Sequence, residues 1–453
     1  MKKMHLSMIN LWCNKNLVDS QLFLWKLISE NPDNIEYYAD PYDKDVEIII
    51  LNTCSFISSW REEMFKTIDN LLSHKKKVCI IWCWVQYFEK LLKNRKDIDS
   101  LSKLELDRWD ELLSNKDIYY LSRNDLTLAK LSSLTGRSQS FDDFCRYSAP
   151  RLLTNYENRY EYLKIAEWCN NSCAFCIIPQ IRWKLTSLPI ESVISEAKNL
   201  LDQWIEELII VAQDTMRYWT DFSSKSQLLP LLHELDNLPY DFKYRILYLY
   251  PDILTLKQLE DFASLKKFVP YFDIPLQHIS PKLLKSMWRF YDDKMIHTLL
   301  KWIRKLFPTS FIRTNIIVWF PWETDEDVKL LQNFLSEDYF DNIALFEYHD
   351  EPLALSSSFD NKVPDDILHK RFSLISKQVD KLLSAREKRR KNKKHIWFVE
   401  WITQNKDKIV LSIRPEINCP EIDQIDEVTL EYVLQCFDSD EIEIWSKVEY
   451  LLV

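Results

Sequence analysis

The segment EWCNNSCAFCIIP places Cys169, Cys173 and Cys176 in C-x3-C-x2-C spacing, directly after an apolar run, YLKIAE, that reads as a strand. Three thiolates on one tight loop can hold three irons. A cubane 4Fe-4S cluster has four, so such a loop leaves one iron open to a small molecule with an amine and a carboxylate, and S-adenosylmethionine is such a molecule. A zinc site or buried structural cysteines are the competing readings. Zinc sites usually take a fourth ligand at C-x2-C-type spacing, and none follows closely. Three further cysteines, Cys13, Cys54 and Cys83, each stand just beyond a run expected to be a strand: MHLSMI, VEIIILN and KKVCIIW. The carboxyl ends of parallel strands converge on one crevice, so these thiols can meet although they are far apart in the chain. Taken singly, each also fits an ordinary buried cysteine. Cys79, Cys145, Cys419 and Cys436 have no partner at ligand spacing and read as structural.

The elements that must carry these residues follow from the apolar pattern. Residues 1–134 alternate short apolar runs with helical stretches such as LVDSQLFLWKLI and EEMFKTIDNLL, the order of a parallel α/β domain. The alternation resumes over 155–386, where EELIIVAQD, KYRILYLYP, FVPYFDIPLQ and FIRTNIIVWF predict strands of a second parallel unit, a partial or full (β/α) barrel. Gln213, Asp214, Gln277 and His278 end two of those strands, at the face of a barrel that normally carries function; a structural hydrogen bond is an equal alternative for each. After the basic run Arg386–Lys394, residues 389–453 predict a small antiparallel β domain. The expected fold class is therefore multidomain α/β with a C-terminal antiparallel β domain.

Bulk composition narrows the setting. Hydrophobic residues make up 46% and charged residues 28% of 453, with net charge −10, and no apolar run approaches the roughly 20 residues that cross a bilayer. The start, MKKMHLSMINLWC, reads as a strand and argues against an export signal. The expectation is a cytoplasmic chain, monomeric and away from membranes, whose ten cysteines are reduced and free to bind metal.

The cysteine loop and its flanks resemble the radical-SAM superfamily and, more narrowly, its methylthiotransferases of the RimO type. The resemblance runs along nearly the whole chain and is carried by LWCNKNLVDS, LNTCSFI, IIPQIRWKLTSLPI, VAQDTMRYWTD, YFDIPLQHISPKLLKSMWR, IRTNIIVWFPWETDED and RPEINCPEID. It implies a radical-SAM partial barrel and a C-terminal TRAM-like domain. It further implies a 4Fe-4S cluster with S-adenosylmethionine on Cys169, Cys173 and Cys176, with Phe175 packing by the adenine, and an auxiliary 4Fe-4S cluster on Cys13, Cys54 and Cys83. The implied reaction removes a hydrogen with a 5'-deoxyadenosyl radical, then adds a methylthio group to the β-carbon of an aspartate in small-ribosomal-subunit protein twelve. An electron donor such as flavodoxin or ferredoxin is implied with it. No catalytic residue beyond the cofactor ligands is identified.

The sister enzymes modify transfer RNA, and a transfer-RNA adenosine methylthiotransferase is the alternative within the class. The charge of residues 396–453, four basic against thirteen acidic, repels phosphate backbones and suits a basic protein; a merely solvated acidic surface is the bland reading.

The composition is abnormal in one respect: Gly 1 against Trp 17. Where the family pattern calls for glycine, tryptophan stands at Trp12, Trp82, Trp168, Trp183, Trp219, Trp319 and Trp322. Gly and Trp codons can differ by one base, and UGA is read as stop, Trp or Gly in different genetic codes. The sequence therefore reads as a translation in the wrong code. Genuine tryptophans would crowd both clusters, and a noncatalytic iron-sulfur binding protein is the reading that goes with them.

Overall fold

The computed structural model describes residues 3–11, 13–93, 108, 111–112, 114–121, 150–154, 158–181, 184–390, 394–405, 408–431 and 446–451. Cys145, Cys436, Trp12 and Trp183 lie outside them.

The first sheet is wholly parallel. Its strands β1 (Met4–Asn10), β2 (Ile35–Tyr37), β3 (Ile48–Thr53), β4 (Lys77–Trp82) and β5 (Ile118–Leu121) lie in the order β2-β1-β3-β4-β5. Helices α1 (Asn14–Glu30), α2 (Ser58–Ser73) and α3 (Cys83–Lys93) follow β1, β3 and β4. The unbroken run IIILNT suits a central strand buried on both faces. Its alternate residues divide accordingly. Ile49 and Leu51 join Val78 and Ile80 under Met64, Ile68 and Leu71 of α2, whereas Ile50 joins Ile81 under Val18 and Leu22 of α1.

The second sheet begins at β6 (Tyr160–Lys164), after which a two-stranded ribbon, β7 (Ala166–Glu167) and β8 (Thr186–Ser187), interrupts the chain. It continues through β9 (Glu207–Val211), β10 (Lys243–Ile246), β11 (Phe268–Asp273), β12 (Phe311–Val318) and β13 (Asn342–Glu347), each parallel to the last and in sequential order. Sequential addition on one side is the mark of a (β/α) barrel, here open at six strands. Residues such as Leu208, Ile210, Ile246 and Ile312 face an outer layer of helices. Their neighbours Tyr162, Ile209, Val211 and Tyr271 face inward and pack with Val18, Leu22 and Phe23 of α1. Helix α1 therefore serves both sheets.

The third sheet, β14 (Lys394–Asn405), β15 (Lys408–Pro415), β16 (Asp426–Thr429) and β17 (Lys447–Leu451), is antiparallel in the order β16-β15-β14-β17. The segment between β15 and β16 closes the N-terminal end of the barrel. Arg414 donates to Glu207 at 3.0 Å and to Glu400, Arg245 donates to the carbonyls of Glu416 and Ile417 at 2.8 and 3.0 Å, and Tyr160 and Tyr162 both donate to Glu421. The acidic count of this region therefore overstates its surface charge. Glu400 and Asp423 are buried, and Glu421 spends both oxygens on tyrosines. Arg386, at the head of the basic run, is engaged with Asp338 and Asp341. No described helix is long and apolar enough to cross a membrane.

Candidate active site

Cys169, Cys173 and Cys176 sit on the loop that leaves β6 through β7 and returns at β8. The loop is tied along its length. Asn170 Oδ1 accepts the Leu185 N–H at 2.9 Å, and the Asn171 N–H donates to Cys169 Sγ at 3.3 Å. The Cys176 N–H donates to the Cys173 carbonyl at 3.0 Å, while the Ala174 N–H donates to the Met287 carbonyl at 3.1 Å and its carbonyl accepts the Ser356 N–H at 2.8 Å. Burial pushes the Cys169 thiol up to about 12 and raises Cys176 as well, so ligation must displace protons from these thiols.

Charged groups ring the loop at the C-terminal ends of the strands. Asn171 donates to Asp214 Oδ2 at 2.6 Å, and Arg217 pairs with Asp214 and Asp252 at 3.1 and 2.8 Å. Burial raises Asp214 to about 6. Arg289 is buried, its guanidinium 4.3 Å from the Tyr250 ring and 5.9 Å from that of Phe175. Gln213 Oε1, Asp214 Oδ1, Asp252 Oδ1 and Arg289 Nε are buried with no protein partner. Polar atoms of both signs around one mouth suit a polar zwitterionic ligand.

Gln277 and His278 behave differently. Gln277 holds a left-handed backbone (φ 69°) and bridges to β12 through Asn315 and Ile317, both at 2.7 Å. His278 is fully buried. Its Nδ1 accepts the Ser280 N–H at 2.9 Å while Nε2 stands 3.9 Å from Glu323. Burial lowers His278 to about 4 and raises Glu323 to about 7, the latter partly offset by the Trp319 N–H and Arg371.

The first sheet brings its own three thiols to one edge. Cys13 is the N-terminal cap of α1, Cys54 directly follows β3, and Cys83 opens α3. Strand order 2-1-3-4-5 reverses direction between β1 and β3, where such sheets bind ligands. Asn16, in the first turn of α1, links two of the three places: its Nδ2 donates to the Thr53 carbonyl at 3.1 Å, beside Cys54, and to Cys83 Sγ at 3.8 Å. The N-termini of α1 and α3 meet at this edge, and their partial positive charge suits anionic sulfur. No three His, Cys, Asp or Glu side chains among the described residues are spaced to hold a single metal ion. A cubane takes each thiolate on a different iron.

The two thiol edges adjoin. Ile177 and Ile181, just past Cys176, pack in one core with Cys83, Val85 and Ala354. Buried Arg61 of α2 pairs with Glu351 at 2.8 Å, and Glu351 also accepts the Ser58 N–H at 2.8 Å. Asn16, Arg217, Asp252 and Arg289 were not among the residues the sequence singled out. Asn16, Arg217 and Arg289 fall inside LWCNKNLVDS, VAQDTMRYWTD and YFDIPLQHISPKLLKSMWR, the signals that offered them; nothing in the sequence pointed to Asp252.

Residues 163–335 match the Radical SAM superfamily, and residues 5–102 match a family described as uncharacterized protein family UPF0004. Over 429 residues the chain is 32% identical to the ribosomal protein uS12 methylthiotransferase RimO of a Nitratiruptor species, covering 93% of this chain and 91% of that one. It is 34% identical over 369 residues to RimO of Aquifex aeolicus, covering 81% and 78%. Among solved structures it resembles the radical S-adenosylmethionine methyltransferase TsrM from Kitasatospora setae, with cobalamin and a [4Fe-4S] cluster bound (TM-score 0.53, 12% identity, 76% of this chain and 75% of that one). It also resembles the cobalamin-dependent S-adenosylmethionine radical enzyme OxsB (TM-score 0.51, 13% identity, 83% and 56%). At those identities the likeness is one of fold.

Proposed function

This chain belongs to the RimO family of radical-SAM methylthiotransferases, and on that premise we propose that it transfers a methylthio group to the β-carbon of an aspartate in ribosomal protein uS12. The observation that carries the reading is the adjacency of two three-thiol edges, one on each parallel sheet. Bound S-adenosylmethionine and two 4Fe-4S clusters supply the radical, the sulfur and the methyl group. Cys169, Cys173 and Cys176 hold the cluster that binds S-adenosylmethionine, and Cys13, Cys54 and Cys83 hold the auxiliary one. Phe175 flanks the first. Asn171 and Arg217 orient the Asp214 carboxylate at the mouth, and the Tyr250 and Tyr291 rings keep water from Arg289. The chain divides into 1–134, 155–386 and a TRAM-like 389–453, whose sheets serve the auxiliary cluster, the radical chemistry and uS12 recognition in turn. A monomer in the cytoplasm, reduced by flavodoxin or ferredoxin, completes the proposal.

The test is anaerobic incubation of reconstituted protein with uS12, S-adenosylmethionine and a reductant, followed by peptide mass spectrometry. One methylthio group on a single uS12 aspartate is the expected result. Modification of transfer RNA instead, or of neither substrate by fully loaded protein, rejects it.

A further inference from the structure

We propose that Asn16 is a positioning residue of the Cys13, Cys54 and Cys83 site, its side-chain amide donating to the Cys83 sulfur so as to hold a cluster there and raise its reduction potential. The inference rests on those cysteines binding iron. Asn16 is fully buried, yet stands on α1 among residues such as Val18 and Leu22 that fill apolar core. A buried amide at such a place is costly unless its donors are used. One is used on the Thr53 carbonyl at 3.1 Å and the other on Cys83 Sγ at 3.8 Å, within range for a sulfur acceptor. A second layer immobilises the residue: its carbonyl accepts from Asn52 Nδ2 at 2.8 Å and from Ser20 Oγ at 2.9 Å, and Asn52 also donates to Asn10 Oδ1 at 2.7 Å. Donation to a ligating sulfur stabilises the more negative, reduced cluster, and second-layer contacts of this kind tune potential.

The experiment uses the chain carrying Cys169→Ala, Cys173→Ala and Cys176→Ala, so that only the auxiliary site is loaded. Iron is quantified and the midpoint potential read by electron paramagnetic resonance during redox titration. Asn16→Ala should shift the midpoint to more negative values and Asn16→Asp further still, while Ser20→Ala, which disturbs the network without touching sulfur, leaves it unmoved. Loss of iron from both Asn16 variants, with circular dichroism intact and Ser20→Ala still loaded, supports the same contact through affinity. Iron retained with an unmoved midpoint in both Asn16 variants overturns it. Iron missing from the parent triple variant would instead remove the thiol-site reading itself.

An independent observation concerns the backbone. Among the described residues twelve non-glycine positions have positive φ, and six of them are tryptophan: Trp168, Trp204, Trp219, Trp288, Trp319 and Trp322, with φ between 58° and 75°. Seventeen tryptophans in 453 residues would by chance place fewer than one there. From this we infer that these six positions are glycine in the protein made by its own host, because only glycine enters the left-handed region without a side-chain clash. Trp204 and Trp288 are identified by backbone alone. Other described tryptophans divide differently: Trp25, Trp60 and Trp302 lie within helices and Trp401 within a strand, where an indole needs no special backbone. Peptide mass spectrometry of protein isolated from the native host decides the matter. Glycine is expected at the six left-handed sites. Tryptophan at all six overturns the inference and leaves the noncatalytic reading standing.

Discussion

At the scale of single residues, the proposed assignment gives the two sets of three cysteines separable roles. Replacing Cys169, Cys173 and Cys176 with Ala should lower iron from about eight to about four per chain, as expected when one of two cubanes is lost. It should also abolish 5'-deoxyadenosine formation, measured by chromatography. Replacing Cys13, Cys54 and Cys83 should remove the other half of the iron but leave S-adenosylmethionine cleavage measurable. Cleavage surviving in the first variant, or full iron in the second, would be incompatible with these assignments. The left-handed tryptophans belong to the same scale. A non-glycine residue in that region costs roughly 1–2 kcal/mol, so six together approach the whole stability of a typical domain, about 5–15 kcal/mol.

At the scale of elements, the turns after β11 and β12 bring His278 and Glu323, both buried, to 3.9 Å from each other. His278 is lowered to about 4, so the folded chain resists its protonation, and this contribution to stability is lost as pH falls below its unfolded value of 6.5. Glu323 is raised to about 7, so its contribution is present below 4.5 and is lost as pH rises through 7. Between pH 4.5 and 6.5 the two slopes oppose each other. Denaturant titrations of His278→Gln should therefore show stability falling with pH across that window, and those of Glu323→Gln should show it rising. Identical profiles in both variants would separate the pair from the pH response. The barrel floor is a second element-scale case. Arg414→Ala takes from buried Glu400 its cation and from Glu207 one of two, Arg245 being the other, and removal of one partner from a buried ion pair costs about 3–5 kcal/mol, readable as a lowered denaturation midpoint.

At the scale of the whole molecule, the proposed reaction requires the two sheets to be held together. Lys164 of β6 reaches Asp19 of α1, Gln21 donates to Glu161 at 3.1 Å, and Arg61 of α2 pairs with Glu351 beyond β13. Arg61→Ala removes the Arg61 charge from beside buried Glu351 and weakens the tie between α2 and the segment beyond β13. The expected outcome is near-normal 5'-deoxyadenosine formation with methylthio product reduced at least about tenfold, since roughly 1 Å of misplacement can cost about 100-fold in rate. Equal loss of both activities would show that Arg61 supports folding rather than register.

What the sequence determined by itself was local. The alternation of apolar runs defined both parallel sheets, because strands buried on two faces cannot tolerate polar interruption. The C-x3-C-x2-C spacing placed three thiols on one loop, and the composition exposed the glycine deficit. That Cys13, Cys54 and Cys83 stand at one sheet edge was readable from parallel topology, whereas a shared cluster there was implied by the resemblance alone. Tertiary structure alone decided the rest. Asn16 reaches Cys83 across 67 positions, and Arg289 reaches Tyr250 across the barrel mouth, through packing that no periodicity encodes. The segment RPEINCPEID, acidic in composition, turned inward to seal the barrel, because Arg245, Tyr160 and Tyr162 offered its carbonyls and carboxylates partners that the one-dimensional sequence does not show. Which tryptophans occupy glycine's backbone was settled by φ, a property of the folded chain and of no residue in isolation.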